Sequence, residues 1–174
     1  MTIRKILTEP DPFLRQKSEK VDIVNDEIRS LMDDMLETMY NAPGIGLAAI
    51  QVGVLKRIIV IDLSRDDEKK NPLYFVNPEI ITNSNSNAAY EEGCLSVPGQ
   101  FAEISRPDKC KVRFLDYNGS EQILDAHGLL ATCIQHEIDH LEGILFIDYL
   151  SKLKKGMIIK KLSKQKKSLE RIVV

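Results

Sequence analysis

A chain of 174 residues with an ordinary apolar fraction fits one domain and is long enough to bury a sizeable core. No run approaches the roughly 18 apolar residues needed to span a bilayer. The start, Met1-Thr2-Ile3-Arg4-Lys5 leading to Thr8-Glu9-Pro10-Asp11-Pro12, has neither a signal core nor transit-peptide composition, so a cytoplasmic location is expected. Three cysteines, an odd count, suit a reducing compartment better than a disulfide framework.

In chain order, Asn25 to Tyr40 predicts an amphipathic helix. Ile28, Leu31, Met32, Met35, Leu36, Met39 and Tyr40 recur at helical spacing, Asn25 can cap the start, and Pro43-Gly44 stops it. The methionines are read as core. Arg57 to Asp62 carries Ile58-Ile59-Val60-Ile61, a buried strand, and Leu73 to Val76 is a second, ended by Asn77-Pro78. Ser64 to Pro72 and Thr82 to Asn87 read as loops. Cys110 to Tyr117 and Ser120 to Ala126 flank Asn118-Gly119, a strong hairpin signal. Gly128 to Glu142 predicts a helix with Gly143 at its C-terminal stop. A final helix is expected from Ser151 to about Ile172. With no repeat and no linker, the expectation is a single α+β catalytic domain over residues 1–174. Mixed or antiparallel sheets would wrap a central helix, with an N-terminal helix and a basic C-terminal helix over about 152–174.

The overall net charge of −2 hides an asymmetry. Nine Lys/Arg and one acid, Glu170, fall between Lys152 and Arg171, so the tail is about +8 on an acidic body. A solvated terminal helix explains this, and so does a docking element for nucleic acid. Leu153, Met157, Leu162 and Leu169 form a broken apolar stripe that could fold the first half back onto the body.

The chemistry is concentrated in His136-Glu137-Ile138-Asp139-His140, an H-E-x-x-H run. Two histidines four apart on a helix point the same way, and their imidazoles can converge on one metal ion. An open catalytic site takes three protein ligands and leaves a position for water. The metzincin solution fails, because Phe146 stands where a third histidine should be, and His127 reads as a surface or turn residue. The best candidate is Cys94 in Glu92-Gly93-Cys94-Leu95-Ser96-Val97-Pro98, a strand edge or tight turn that can present its sulfur. A third segment, Gly44-Ile45-Gly46-Leu47-Ala48-Ala49-Ile50-Gln51-Val52-Gly53, combines small residues that allow close backbone approach with one amide, Gln51, inside an apolar run. Cys110 reads as a small core residue. Cys133 lies three residues before His136 on the same helical face, so a closed Cys94/Cys133/His136/His140 structural zinc site without catalysis is the rival from another class. A conventional zinc protease is a second.

These three segments resemble the signature motifs of the peptide deformylases, G-x-G-x-A-A-x-Q, E-G-C-x-S and H-E-x-x-H, in the right order from about Ile6 to about Leu150. The ligand types of Cys94, His136 and His140 suit ferrous iron, zinc, nickel or cobalt. An open position takes a water whose pKa falls towards about 7 in good sites. Glu137 is placed to take its proton and pass it to the leaving amine. Gln51 and the backbone N–H of Leu95 are the oxyanion donors.

The resemblance implies removal of the formyl group from the N-terminal formyl-methionine of nascent polypeptides, with Fe2+ as the expected native ion. It also implies an extended peptide bound by strand addition along Ile45, Gly46, Gly93 and Leu95. The methionine side chain would enter a pocket near Ile45, Leu129 and Cys133. Two departures stand out: Ile50 replaces a proline common before the glutamine, and Phe101 replaces a common basic residue. The expected partners are formylated nascent chains and, through the basic tail, the ribosome. No membrane is involved, and the chain is expected to be a monomer.

Overall fold

The computed structural model describes residues 1–65 and 67–172. In chain order its regular elements are α1 (Asp26–Asn41), β1 (Gly46–Ala48), β2 (Ile58–Ile61), β3 (Leu73–Asn83), β4 (Asn87–Cys94), β5 (Val97–Pro107), β6 (Lys109–Leu115), β7 (Glu121–His127), α2 (Gly128–Leu141) and α3 (Lys152–Ile172), with single-turn 3₁₀ helices at Pro12–Arg15, Ala49–Val52 and Phe146–Tyr149. Residues 173 and 174 of the expected basic helix lie outside the described residues.

The architecture is α+β, as the sequence predicts, and every strand pairing within its two sheets is antiparallel. A five-stranded sheet runs in the order β1-β2-β3-β6-β7, and β4 and β5 form a separate long hairpin. The β2 run Ile58-Ile59-Val60-Ile61 explains how the large sheet is held. Successive strand side chains point to opposite faces. Ile58 and Val60 pack with Met32, Met35 and Met39 of α1, while Ile59 and Ile61 pack with Ala131, Ile134 and Leu141 of α2. The sheet is therefore covered by a helix on each face, and burial of both rows drives its formation. The α1 start is fixed as expected, with the Asn25 side chain accepting the Ile28 N–H at 3.0 Å.

Local chemistry closes the remaining turns. Gly119 takes a φ of 83° at the β6–β7 turn, a conformation that the Asn-Gly pair supplies. Gly143 has a φ of 74° just beyond α2, and a side chain there would strike the Arg15 carbonyl. His127 is exposed at the start of α2 and Cys110 is buried in the sheet, both as read from the sequence.

Two boundaries and one packing face differ from expectation. β3 does not stop at Asn77-Pro78. Asn77 adopts a φ of 52°, its side chain exchanges two hydrogen bonds of 2.8 Å with the Val21 backbone, and the strand resumes after a register shift to pair with β6. The proline falls at an irregularity where the ladder is interrupted, which is where a sheet tolerates it. The Thr82 to Asn87 loop shrinks to residues 84–86, because β3 and β4 claim its ends. The apolar stripe of α3 is also different. Leu153, Met157 and Leu169 are exposed, whereas Leu162, with Ile158 and Ile159, packs against Val97, Ile104, Leu145, Phe146 and Ile147. Lys155 adds an ion pair of 2.6 Å to Asp148, which Arg15 also holds. No described helix is long and apolar enough to cross a membrane.

Candidate metal centre

α2 carries His136 and His140 one turn apart on a buried face, and the end of β4 brings Cys94 to them. One ligand atom from each of the three lies within 4.8 Å of the others, and the Cys94 sulfur stands 3.3 Å from His140 Nε2. Ligand bonds of about 2.0–2.3 Å from one ion need donors a few ångströms apart, the scale of this triangle. Cys133 is outside the group. Its sulfur lies beside Gly46, and burial pushes its thiol well above the ordinary range, so it stays a protonated, apolar wall of the cleft.

Burial by itself lowers the His136 imidazole, yet hydrogen bonds to Cys94 and Glu92 hold it well above its ordinary value. His140 is driven well below its ordinary value by burial and by His136, which keeps it neutral and able to ligate.

Behind His136 stands a network that sequence reasoning missed. Its Nδ1 is 2.8 Å from Glu92 Oε2, which fixes the ring and leaves Nε2 for the ion. Arg106 grips Glu92 with two bonds, 2.6 and 3.1 Å, and reaches Asp139 at 2.8 Å. The Tyr149 hydroxyl donates to the same Asp139 oxygen at 2.7 Å, and Arg106 stacks over the Tyr149 ring. Burial works to raise the Glu92 carboxyl, but His136 and Arg106 hold it below the usual carboxylate range. Glu92 and Asp139 were visible inside two motifs. Arg106 and Tyr149 had no local signal, because only the β4–β5 hairpin and the turn after α2 bring them there.

Glu137 lies on the adjoining edge of α2, pressed against Gly46. A Cβ at position 46 would collide with its carboxylate, so the glycine exists to let the acid in. One Glu137 oxygen is buried without a protein partner, and burial pushes the carboxyl up to about 7. Gln51 is buried in the 3₁₀ turn after β1, and its orientation is fixed. Its oxygen accepts the Ala48 N–H at 2.8 Å, which turns Nε2 towards Ser96 Oγ at 3.1 Å and the Cys94 sulfur at 3.5 Å. Leu95 sits between β4 and β5 beside it. A cleft of about 460 Å³ opens above these groups and is lined by Ile45, Gly46, Gln51, Gly93, Cys94, Leu95, Leu129, Cys133, His136 and Glu137 among others. Of the residues expected from the sequence to hold the metal, act on the substrate or bind it, all but His140 border this one space.

A metal staple has no use for a buried, partnerless carboxylate beside an open cleft. A metal-dependent hydrolase does, since an acid poised near neutrality can move a proton at a polarised carbonyl. Comparison with known proteins narrows that class. The family model described as polypeptide deformylase matches residues 3–156. The peptide deformylase of Pelagibacter ubique is 68% identical over 174 residues, all of both chains. Two crystal structures of peptide deformylase from Ehrlichia chaffeensis superpose with a TM-score of 0.91. One is 45% identical and covers 96% of this chain and 98% of that one. The other, in complex with actinonin, is 47% identical and covers 95% and 98%. The chain belongs to the polypeptide deformylase family, hydrolases that use a divalent metal to remove the N-formyl group of new polypeptides.

Proposed function

We propose that Cys94, His136 and His140 hold the divalent ion of this deformylase, that Glu137 is its acid/base, and that Gln51 Nε2 and the Leu95 N–H receive the negative charge developing on the formyl oxygen. Residues 1–174 act as a single catalytic domain, cytoplasmic and monomeric. The ion, when bound, supplies Lewis acidity and lowers the pKa of a water in the open position. Fe2+ is the native ion in this reading, and zinc, nickel or cobalt fit the same donors.

The chain's own residues do the rest. Glu137 takes the proton of the attacking water and returns it to the leaving amine of methionine, and the Gly46 gap holds it in place. Glu92 and Arg106 keep the His136 ring in the ligating tautomer. Gln51 is pre-aimed by its bond to Ala48, so it stabilises charge without reorganising. The formylated peptide lies extended between Ile45-Gly46 and Gly93-Leu95, and its methionine side chain enters between Ile45, Leu129 and Cys133.

The observation that carries this reading is the buried, partnerless Glu137 carboxylate beside the three-donor set. Its test is formate release from a formyl-methionyl peptide with ferrous iron under anaerobic conditions. The parent should release formate, and Glu137→Gln should be slower by about 10²–10⁴-fold with its metal still bound. A near-parent rate in metal-loaded Glu137→Gln would overturn the assignment.

The basic helix α3 is read as a docking element for the ribosome. Lys154, Lys160, Lys161, Lys164, Lys166 and Lys167 are exposed, a density suited to phosphate backbones, and Leu162 anchors the helix to the body.

A further inference from the structure

The β4–β5 hairpin has two unlike faces. Glu92 and Tyr90 lie on one, and Glu92 reaches His136, so that face looks towards α2. Glu91 and Gly93 lie on the other, since side chains alternate along a strand. Antiparallel register sets Phe101 directly opposite Gly93 and Glu103 directly opposite Glu91, so all four share this outer face.

Phe101 is 66% exposed, and its ring lies across Gly93; a Cβ at Gly93 would be 2.5 Å from a ring carbon. The missing side chain thus lets the aromatic ring reach over β4 towards the cleft, which Phe101, Gly93 and Glu91 all line. Glu91 and Glu103 are exposed, and among the described residues neither has an ion-pair partner. Two carboxylates facing each other across a strand pair repel, and a cation between them relieves the repulsion.

A peptide bound along Gly93 obeys the same alternation. If its methionine side chain points to the α2 face, the side chain of the next residue must point to the outer one. That residue meets an aromatic ring with two unpaired acids beyond it. We infer that Phe101, with Glu91 and Glu103, makes this chain select formylated peptides whose second residue is lysine or arginine. The aliphatic stem of such a residue packs on the ring, its charge sits over the ring or between the carboxylates, and an acidic second residue is repelled. The inference rests on the proposed placement of the peptide along β4.

The test uses three peptides, formyl-Met-Lys, formyl-Met-Leu and formyl-Met-Glu, with a common uncharged remainder and the iron-loaded enzyme. The parent should show kcat/KM in the order Lys, Leu, Glu, with Lys over Glu by about tenfold. Phe101→Ala and the double variant Glu91→Gln/Glu103→Gln should each narrow that ratio by several-fold. Phe101→Arg should invert it, and added salt should compress it in the parent. Phe101 is largely exposed, so its variants keep the fold. Formate release with one Lys:Glu ratio across parent and variants, or variants that slow all three peptides equally, would overturn this selectivity while leaving the deformylase assignment standing. No formate from any peptide would overturn both.

Discussion

Helices α2 and α3 show how differently a protein uses the same backbone. Nine of the 14 residues of α2 are buried, among them Gln135, His136, Glu137 and His140. In the longer α3 only Leu162 is buried among the described side chains, and eight of its 21 residues are lysine. Removing water from α2 shifts the acidity of its side chains. The same burial lowers His140, raises Glu137 to about 7 and makes each polar partner indispensable. Apart from Lys155, which pairs with Asp148, the charges of α3 stay in solvent, where they add reach and steering but little binding energy individually.

The contrast can be broken hardest at the cysteines. Cys94→Ala should strip the metal and reduce formate release to background, whereas Cys133→Ala should keep the metal through desalting. Equal metal loss in both, measured by elemental analysis, would restore the closed four-ligand site. Gln51→Ala should come next, slowing turnover by roughly 10²–10³-fold at unchanged metal content, the usual loss for one oxyanion donor. A rate within a few-fold of the parent would reduce Gln51 to a packing role.

A stability experiment sharpens the comparison between buried and exposed charge. Arg106→Met leaves Glu92 and Asp139 without their shared cation and should cost about 3–5 kcal/mol in denaturant unfolding. Arg113→Met, which breaks a pair with Glu79 on the sheet surface, should barely move the midpoint. Similar shifts for the two would mean that the network around His136 is not tightly coupled.

The smallest effect on chemistry is expected from α3. Cutting the chain after Ser163 keeps Ile158, Ile159 and Leu162 in their pocket and removes Lys164, Lys166, Lys167 and Arg171. Turnover of a short formyl peptide should be within about twofold of the parent, while co-sedimentation with ribosomes falls and that of the parent weakens steeply with salt. Unchanged co-sedimentation would return the tail to a solvated helix.

The sequence by itself determined the elements whose signals are local. Asn25 and the methionine row marked α1, Asn118-Gly119 marked the β6–β7 turn, and H-E-x-x-H placed two imidazoles on one helical face. Three short motifs pointed to Cys94, Glu137 and Gln51 as candidates, because each motif packs its residues close together, and the fold brings all three to one cleft. The hairpin β4–β5 escaped, since its inward positions include Glu92 and Arg106, and a strand that buries charge lacks the apolar alternation by which strands are read. Which acid holds His136, which cation holds that acid, and why Gly46 can have no side chain were decided only by the tertiary structure. Those contacts join residues 14 to 91 positions apart, and no local pattern encodes a partner that only folding brings within hydrogen-bond reach.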